Sequence, residues 1–140
     1  MRTYDVVIPC HNAAGTVLSA VQSALSCVGV VAVIVVDDGS TDDSLAVLGA
    51  IDDPRVCVEN QANGGPGLAR NRGSALGTAD RLIFLDADDV LLPNATDAFD
   101  AFASAELVRS DAVRELPDGS QGLLRAESDP RPFPRGSPLA

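Results

Sequence analysis

A chain of 140 residues, 46% of them hydrophobic, can bury one core and is too short for two ordinary domains. Its 20 acids against 10 bases give a formal net charge of -10, which argues against a duplex nucleic acid partner, since such binding needs clustered cations. No run of about 18 apolar residues occurs, so no membrane span is expected, and the opening MRTYDVVIP lacks a secretory apolar region.

Every base is arginine. The absence of lysine removes the phosphate loop that ends in Gly-Lys-Ser/Thr, and it argues against a receiver domain, where an acid pair such as Asp37-Asp38 is accompanied by a lysine. Cys10, Cys27 and Cys57 are odd in number and lack metal-ligand spacing, which predicts free thiols in a reducing cytosol. The expected location is therefore cytoplasmic, with peripheral contact at the inner membrane face left open.

In chain order, Tyr4 to Pro9 predicts a short buried strand. Ala14 to Cys27 repeats apolar residues at helical spacing, with Asn12 or Thr16 as its cap. Val30 to Val36 is a second, β-branched strand that ends at Asp37-Asp38-Gly39-Ser40. Ser40 or Thr41 is expected to cap a helix carrying Leu45, Leu48 and Ile51. Arg55 to Glu59 alternates as a third strand, and the glycine-rich stretch from Asn63 to Gly73 leads into a short helix through Ala75 and Leu76. Leu82 to Leu85 shows no polar alternation and predicts a strand buried on both faces, followed by a helix from Ala95 to Ala105. After Glu106 the pattern predicts a hairpin turning at Pro117-Asp118-Gly119, then a proline-rich extended tail. The expected organisation is an α/β region over 1–105, the hairpin or the start of another region over 106–127, and the tail over 128–140.

Strands alternating with helices predict a mostly parallel sheet covered on both faces, with ligands bound beyond the carboxyl ends of the strands. Pro9-Cys10-His11-Asn12, Asp37-Asp38-Gly39 and Asp86-Ala87-Asp88 all fall at such ends. Carboxylates spaced Asp-x-Asp offer hard oxygen ligands suited to Mg²⁺ or Mn²⁺, and an acidic protein needs such an ion to accept an anionic diphosphate. Asp88 is the expected direct ligand. Asp86 would bind through water or contact a ribose hydroxyl, and Asp89 would open a helix or stand behind the ligands. Asp38 is a candidate acceptor for a base N–H, whereas Asp37 has the simpler role of bonding turn amides. His11, the only histidine, either packs or stacks on a base. Of Arg70 and Arg72, one is expected to reach a phosphate or base and the other to be solvated. The glycine run fails the dinucleotide fingerprint, because Arg70 stands where its third glycine would be.

Taken together, VVIPCHN, VIVVDDGSTDDS, NGGPGLARNRG and LIFLDADD resemble the donor-binding half of a family 2 glycosyltransferase. The third segment fits the family's Asn-x-Gly-x-x-x-Ala-Arg-Asn-x-Gly pattern at Asn63, Gly65, Ala69, Arg70, Asn71 and Gly73. The resemblance covers about Thr3 to Ala105. It implies a GT-A, Rossmann-like three-layer sandwich and a UDP-, GDP- or TDP-linked sugar donor with Mg²⁺ or Mn²⁺ on its diphosphate. It also implies transfer with inversion to an acceptor the sequence does not name. Carried over by position, Pro9, His11, Asn12, Asp38, Gly65, Arg70 and Asp86 would bind the nucleotide, and Asp86 and Asp88 the metal. His11 departs from the family's usual tyrosine. The family's acceptor segment and catalytic base are expected beyond Ala140, with Asp111 and Glu115 too early for that role, so the chain reads as truncated. Loss of later strands would leave a sheet edge open to self-association. The alternatives are a non-catalytic nucleotide-binding module or inactive fragment, and a sugar nucleotidyltransferase. The last is disfavoured because Pro9-Cys10-His11-Asn12 occupies the place of its phosphate loop.

Overall fold

The computed structural model describes residues 1–102, 104, 112–115 and 117–124. Asp111, the side chain of Glu115 and the proline-rich segment 128–140 lie outside the described residues. The first unit, Met1–Ala101, is built on four strands: β1 (Tyr4–Cys10), β2 (Val30–Asp38), β3 (Val56–Gln61) and β4 (Arg81–Phe84). They are interleaved with α1 (Val17–Leu25), α2 (Ser44–Gly49) and α3 (Pro66–Leu76), and α4 (Ala95–Asp100) follows β4. The sheet order is β3-β2-β1-β4, and every pairing is parallel. A second unit contains the antiparallel hairpin of β5 (Ala112–Glu115) and β6 (Gln121–Leu124), with Asp118 and Gly119 between its strands.

Alternation along β1 and β2 sorts the core into two layers. Val6, Ile8, Val33 and Val35 join Val17, Val21, Ala24 and Leu48 of α1 and α2. Val7, Ile34 and Val36 meet Ala69 of α3 on the other face. The result is three layers, with helices on both sides of the sheet.

Three expectations change. The Leu82 to Leu85 strand is covered on one face only: Ile83 and Leu85 are 8% and 6% exposed, but Leu82 and Phe84 are 41% and 38% exposed. In the described sheet β4 is an edge strand, and α3 packs over β1 and β2. The glycine-rich stretch is mostly helix, because Pro66 opens α3 where a missing N–H costs nothing, after Gly65 at φ 92°. The first two helices also start without the expected side-chain caps. Asn12 instead accepts from the Thr41 and Asp42 amides, and Ser40 Oγ accepts from the Asn12 amide, so these residues join two loops.

One buried and one exposed carboxylate tie the turn before β4 to the start of β1. The Asp5 carboxylate, 1% exposed, accepts from the Thr78 and Ala79 amides at 2.6 and 2.8 Å, while Asp80 accepts from the Thr3 amide and hydroxyl at 2.9 Å. These contacts hold the turn after α3 against β1, beside which β4 pairs. Tyr4 ties in α4 through its hydroxyl bond to Asp100, and burial together with that carboxylate pushes the phenol up to about 12.

Gly73 lets α3 lie flush on the sheet. A Cβ there would stand 2.4 Å from Val7 Cγ1, and Val7 is fully buried. Overpacking costs about 1–3 kcal/mol and Gly→Ala in a helix returns about 1. Gly73→Ala is therefore expected to lower the urea midpoint, whereas Gly49→Ala, with open space around its Cβ, should hold or raise it. Equal midpoints for the two variants would contradict this packing account.

Candidate functional site: a cleft at the carboxyl edge of the sheet

The strand order reverses between β1 and β4, since the chain steps outward from β1 through β2 to β3 and then returns to the other side of β1. Such a switch point opens a crevice at the carboxyl ends of the strands. A cleft of about 630 Å³ lies there, within the usual range for a small-molecule site. Pro9, His11, Asn12, Asp38, Gly65, Arg70, Asp86 and Asp88 all line it, together with Thr16, Asn63 and Pro66. Four segments remote in sequence thus converge on one space.

On one side the cleft is organised by Asp38. Its carboxylate is only 3% exposed and accepts from Gln61 Nε2, the Gly64 amide and the Gly65 amide, each at 2.8 Å. Burial pushes this carboxyl's pKa up, but the Gln61, Gly64 and Gly65 hydrogen bonds outweigh it and hold the group below its ordinary value. Two bonds fall on Oδ1 and one on Oδ2, so one lone pair remains on Oδ2. Gly39 turns the chain after Asp38 at φ 70°, and a Cβ there would stand 2.9 Å from the Asn63 nitrogen. The His11 ring is fixed by Nδ1, which lies 2.9 Å from the Asp38 carbonyl. A carbonyl only accepts, so in the neutral ring Nδ1 carries the proton and Nε2 is left as an acceptor. Asp37, fully buried, accepts from the Ser40 amide at 3.1 Å, in keeping with its turn-bonding role.

The other side is acidic. Ala87 is buried and splays its neighbours outward, and carboxylate oxygens of Asp86, Asp88 and Asp89 lie within 4.8 Å of one another. Asp89 does not open a helix, because α4 begins at Ala95. Burial, then the charges of Asp88 and Asp86, raises its pKa. Arg70 reaches across from α3 and pairs with Asp86 Oδ1 at 2.8 Å. Arg72, two residues on, pairs instead with Glu59 at 2.9 Å.

This donor set fits a hard divalent cation. All the ligand atoms are carboxylate oxygens, the hard ligands that Mg²⁺ and Mn²⁺ prefer, and they already lie within 4.8 Å of one another. The cluster already draws a cationic group, the Arg70 guanidinium. Asp86, Asp88 and Asp89 could hold the ion, which would face the anionic part of any ligand in the cleft.

Gln61 was missed by motif reading. Its signal lies in the strand register, which pairs Asp38 with Gln61 across β2 and β3. Asp38→Asn would turn an amide N–H toward a buried donor, at a cost of about 1–3 kcal/mol. Because the folded pKa lies below the unfolded one, the carboxylate's contribution is complete above the unfolded value and fades as pH falls through the folded one. The gap in denaturation midpoint between wild type and Asp38→Asn is therefore expected to be larger at pH 7 than at pH 3. A gap that is constant with pH would contradict it.

Comparison with known proteins agrees with this geometry. The family model described as Glycosyl transferase family 2 matches residues 5–104. Succinoglycan biosynthesis protein ExoO of Rhizobium meliloti is 42% identical over 90 residues, covering 63% of this chain and 26% of the relative. The Escherichia coli protein named UDP-Glc:alpha-D-GlcNAc-diphosphoundecaprenol beta-1,3-glucosyltransferase WfaP is 33% identical over 91 residues, covering 64% and 36%. The chain thus spans about a quarter to a third of the length of these curated relatives. The crystal structure of S. aureus TarS 1-349 superposes with a TM-score of 0.65 at 25% identity, covering 73% of this chain and 32% of that one. TarS has also been solved in complex with UDP-GlcNAc and with UDP. With the motifs, the parallel sheet and the family match in agreement, this chain belongs to glycosyltransferase family 2 and has the GT-A fold.

Proposed function

We propose that the chain is the donor-binding part of a glycosyltransferase that takes a nucleoside-diphosphate sugar, with a divalent cation, and serves inverting transfer to an acceptor hydroxyl. The observation that carries this reading is the convergence of Asp38, Arg70, Asp86 and Asp88 on one cleft. The UDP complexes of TarS and the UDP-Glc donor in the name of WfaP favour UDP over GDP and TDP.

In this reading Pro9 and His11 border the base, and the remaining Oδ2 lone pair of Asp38 accepts its N–H. Asn12 and Gly65 shape the nucleoside pocket, while Asp86 and Asp88 hold Mn²⁺ or Mg²⁺. When bound, the ion offsets the charge of the diphosphate and of the departing nucleotide. In the transfer, the anomeric carbon–diphosphate bond breaks as the acceptor oxygen bonds from the opposite face, and the acceptor proton passes to a base. The acids lining the cleft are Asp38, Asp86 and Asp88. Asp38 is held ionised by three donors and is a poor base, and the other two face the cation. The reading therefore draws its base from outside the described residues. That same assignment favours a second reading, a binding module that captures the donor without turning it over.

Self-association belongs to the same reading, supported by exposed Leu82 and Phe84 on edge strand β4. Sedimentation is expected to show a dimer that Phe84→Glu dissociates, and a monomeric wild type would refute it.

Calorimetry with UDP and MnCl₂ tests the donor site. Binding is expected with Mn²⁺, to vanish with excess chelator, and to weaken about tenfold or more in Asp88→Ala. Equal affinity with chelator present would overturn the metal-assisted reading. Hydrolysis or transfer of UDP-sugar by the chain alone would eliminate the binding-module reading.

A further inference from the structure

We propose that Arg70 and the divalent cation are mutually exclusive partners of Asp86, and that the site exchanges one for the other as the donor binds. This rests on the cation reading above and goes beyond it. The pair joins Arg70 of α3 to Asp86 beyond the tip of β4, with Nη2 and Oδ1 2.8 Å apart. Oδ1 of Asp86, in the turn whose three carboxylates would hold the cation, therefore already carries a positive group.

Electrostatics explains the arrangement. Asp86, Asp88 and Asp89 crowd three carboxylates into one turn of a protein with a net charge of -10. Without a cation they repel, and Arg70 is the arginine that lines this cleft. The pair is half open to water, with Asp86 56% and Arg70 29% exposed at their side chains, so it is a weak latch and not a buried lock. A divalent ion carries twice the charge and displaces it. The guanidinium, still anchored on α3, is then free to face the negative charge of a nucleoside diphosphate, for which its paired donors are suited. Arg72 shows the contrast, since on the same helix it spends its charge on Glu59, away from the cleft.

The exchange makes opposite predictions for two ligands. Removing the Arg70 charge takes away the metal's competitor and also a contact to the diphosphate. Isothermal titration of MnCl₂ alone into Arg70→Met is expected to give about two- to fivefold tighter binding than wild type. UDP titrated in saturating MnCl₂ is expected to bind about fivefold or more weakly to the same variant. Arg72→Met, which removes an equal charge from the same helix, should leave both affinities unchanged. It thereby separates the local exchange from a change in overall charge, and circular dichroism confirms that each variant is folded.

If Mn²⁺ binds wild type and Arg70→Met equally, or binds the variant more weakly, Arg70 does not compete for Asp86 and the proposal falls while the cation reading stands. Tighter Mn²⁺ with unchanged UDP affinity would likewise overturn the exchange, because the released guanidinium would have no part in holding the diphosphate. Failure of Mn²⁺ to bind any of these proteins, with or without UDP, would overturn the cation reading and the exchange together.

Discussion

The site exists because β1 is paired in parallel on both sides, with β2 on one and β4 on the other. Parallel pairing sends every carboxyl end to the same edge of the sheet, and the reversal of strand order beside β1 prevents helices from covering that edge. The loops after β1, β2 and β4 then face one another although they lie up to about eighty residues apart. The Asp5 bonds to Thr78 and Ala79 are part of this constraint, because they return the chain to β1 after α3.

Within the cleft, the same physical problem has two solutions. Asp38 is an acid placed out of reach of water, and it remains ionised because a side-chain amide and two backbone amides point at it. It holds the Gly64-Gly65 turn, and a single lone pair is left on Oδ2. Asp86, Asp88 and Asp89 stay in water, where their charges are screened but not cancelled, and they draw in Arg70. One acid is thus preorganised and rigid. The other group is partly open to water and is met by a single exposed ion pair.

Much of this was legible in the sequence because it is local. Apolar runs ending in Asp37-Asp38 and Asp86-Ala87-Asp88 mark strand tips whatever the neighbours are, and the spacing from Asn63 to Gly73 marked the third motif. Features that depend on strand order were not legible. Leu82 and Phe84 carry the same apolar signal as a central strand, and only the edge position of β4 leaves them exposed. Gln61 is an unremarkable polar residue until register sets it beside Asp38. Of two arginines on one helix, α3's orientation alone decides that Arg70 meets Asp86 and Arg72 meets Glu59. Loop residues misled for a related reason: Asn12 has the chemistry of a helix cap, but α1 begins only at Val17 and Asn12 bonds another loop's amides instead.

The central claim is that the tips of β1, β2 and β4 form one donor site with its cation at the Asp86 turn. Paramagnetic line broadening tests this most directly, by adding substoichiometric Mn²⁺ to ¹⁵N-labelled protein in the presence of UDP. The account predicts broadening centred on the amides of residues 86–89 and reaching those of residues 10–12 and 63–65, with Mg²⁺ restoring the signals by competition. Broadening centred on other acids, such as Asp52, Asp53 or Asp97, with the Asp86 turn unaffected, would contradict it.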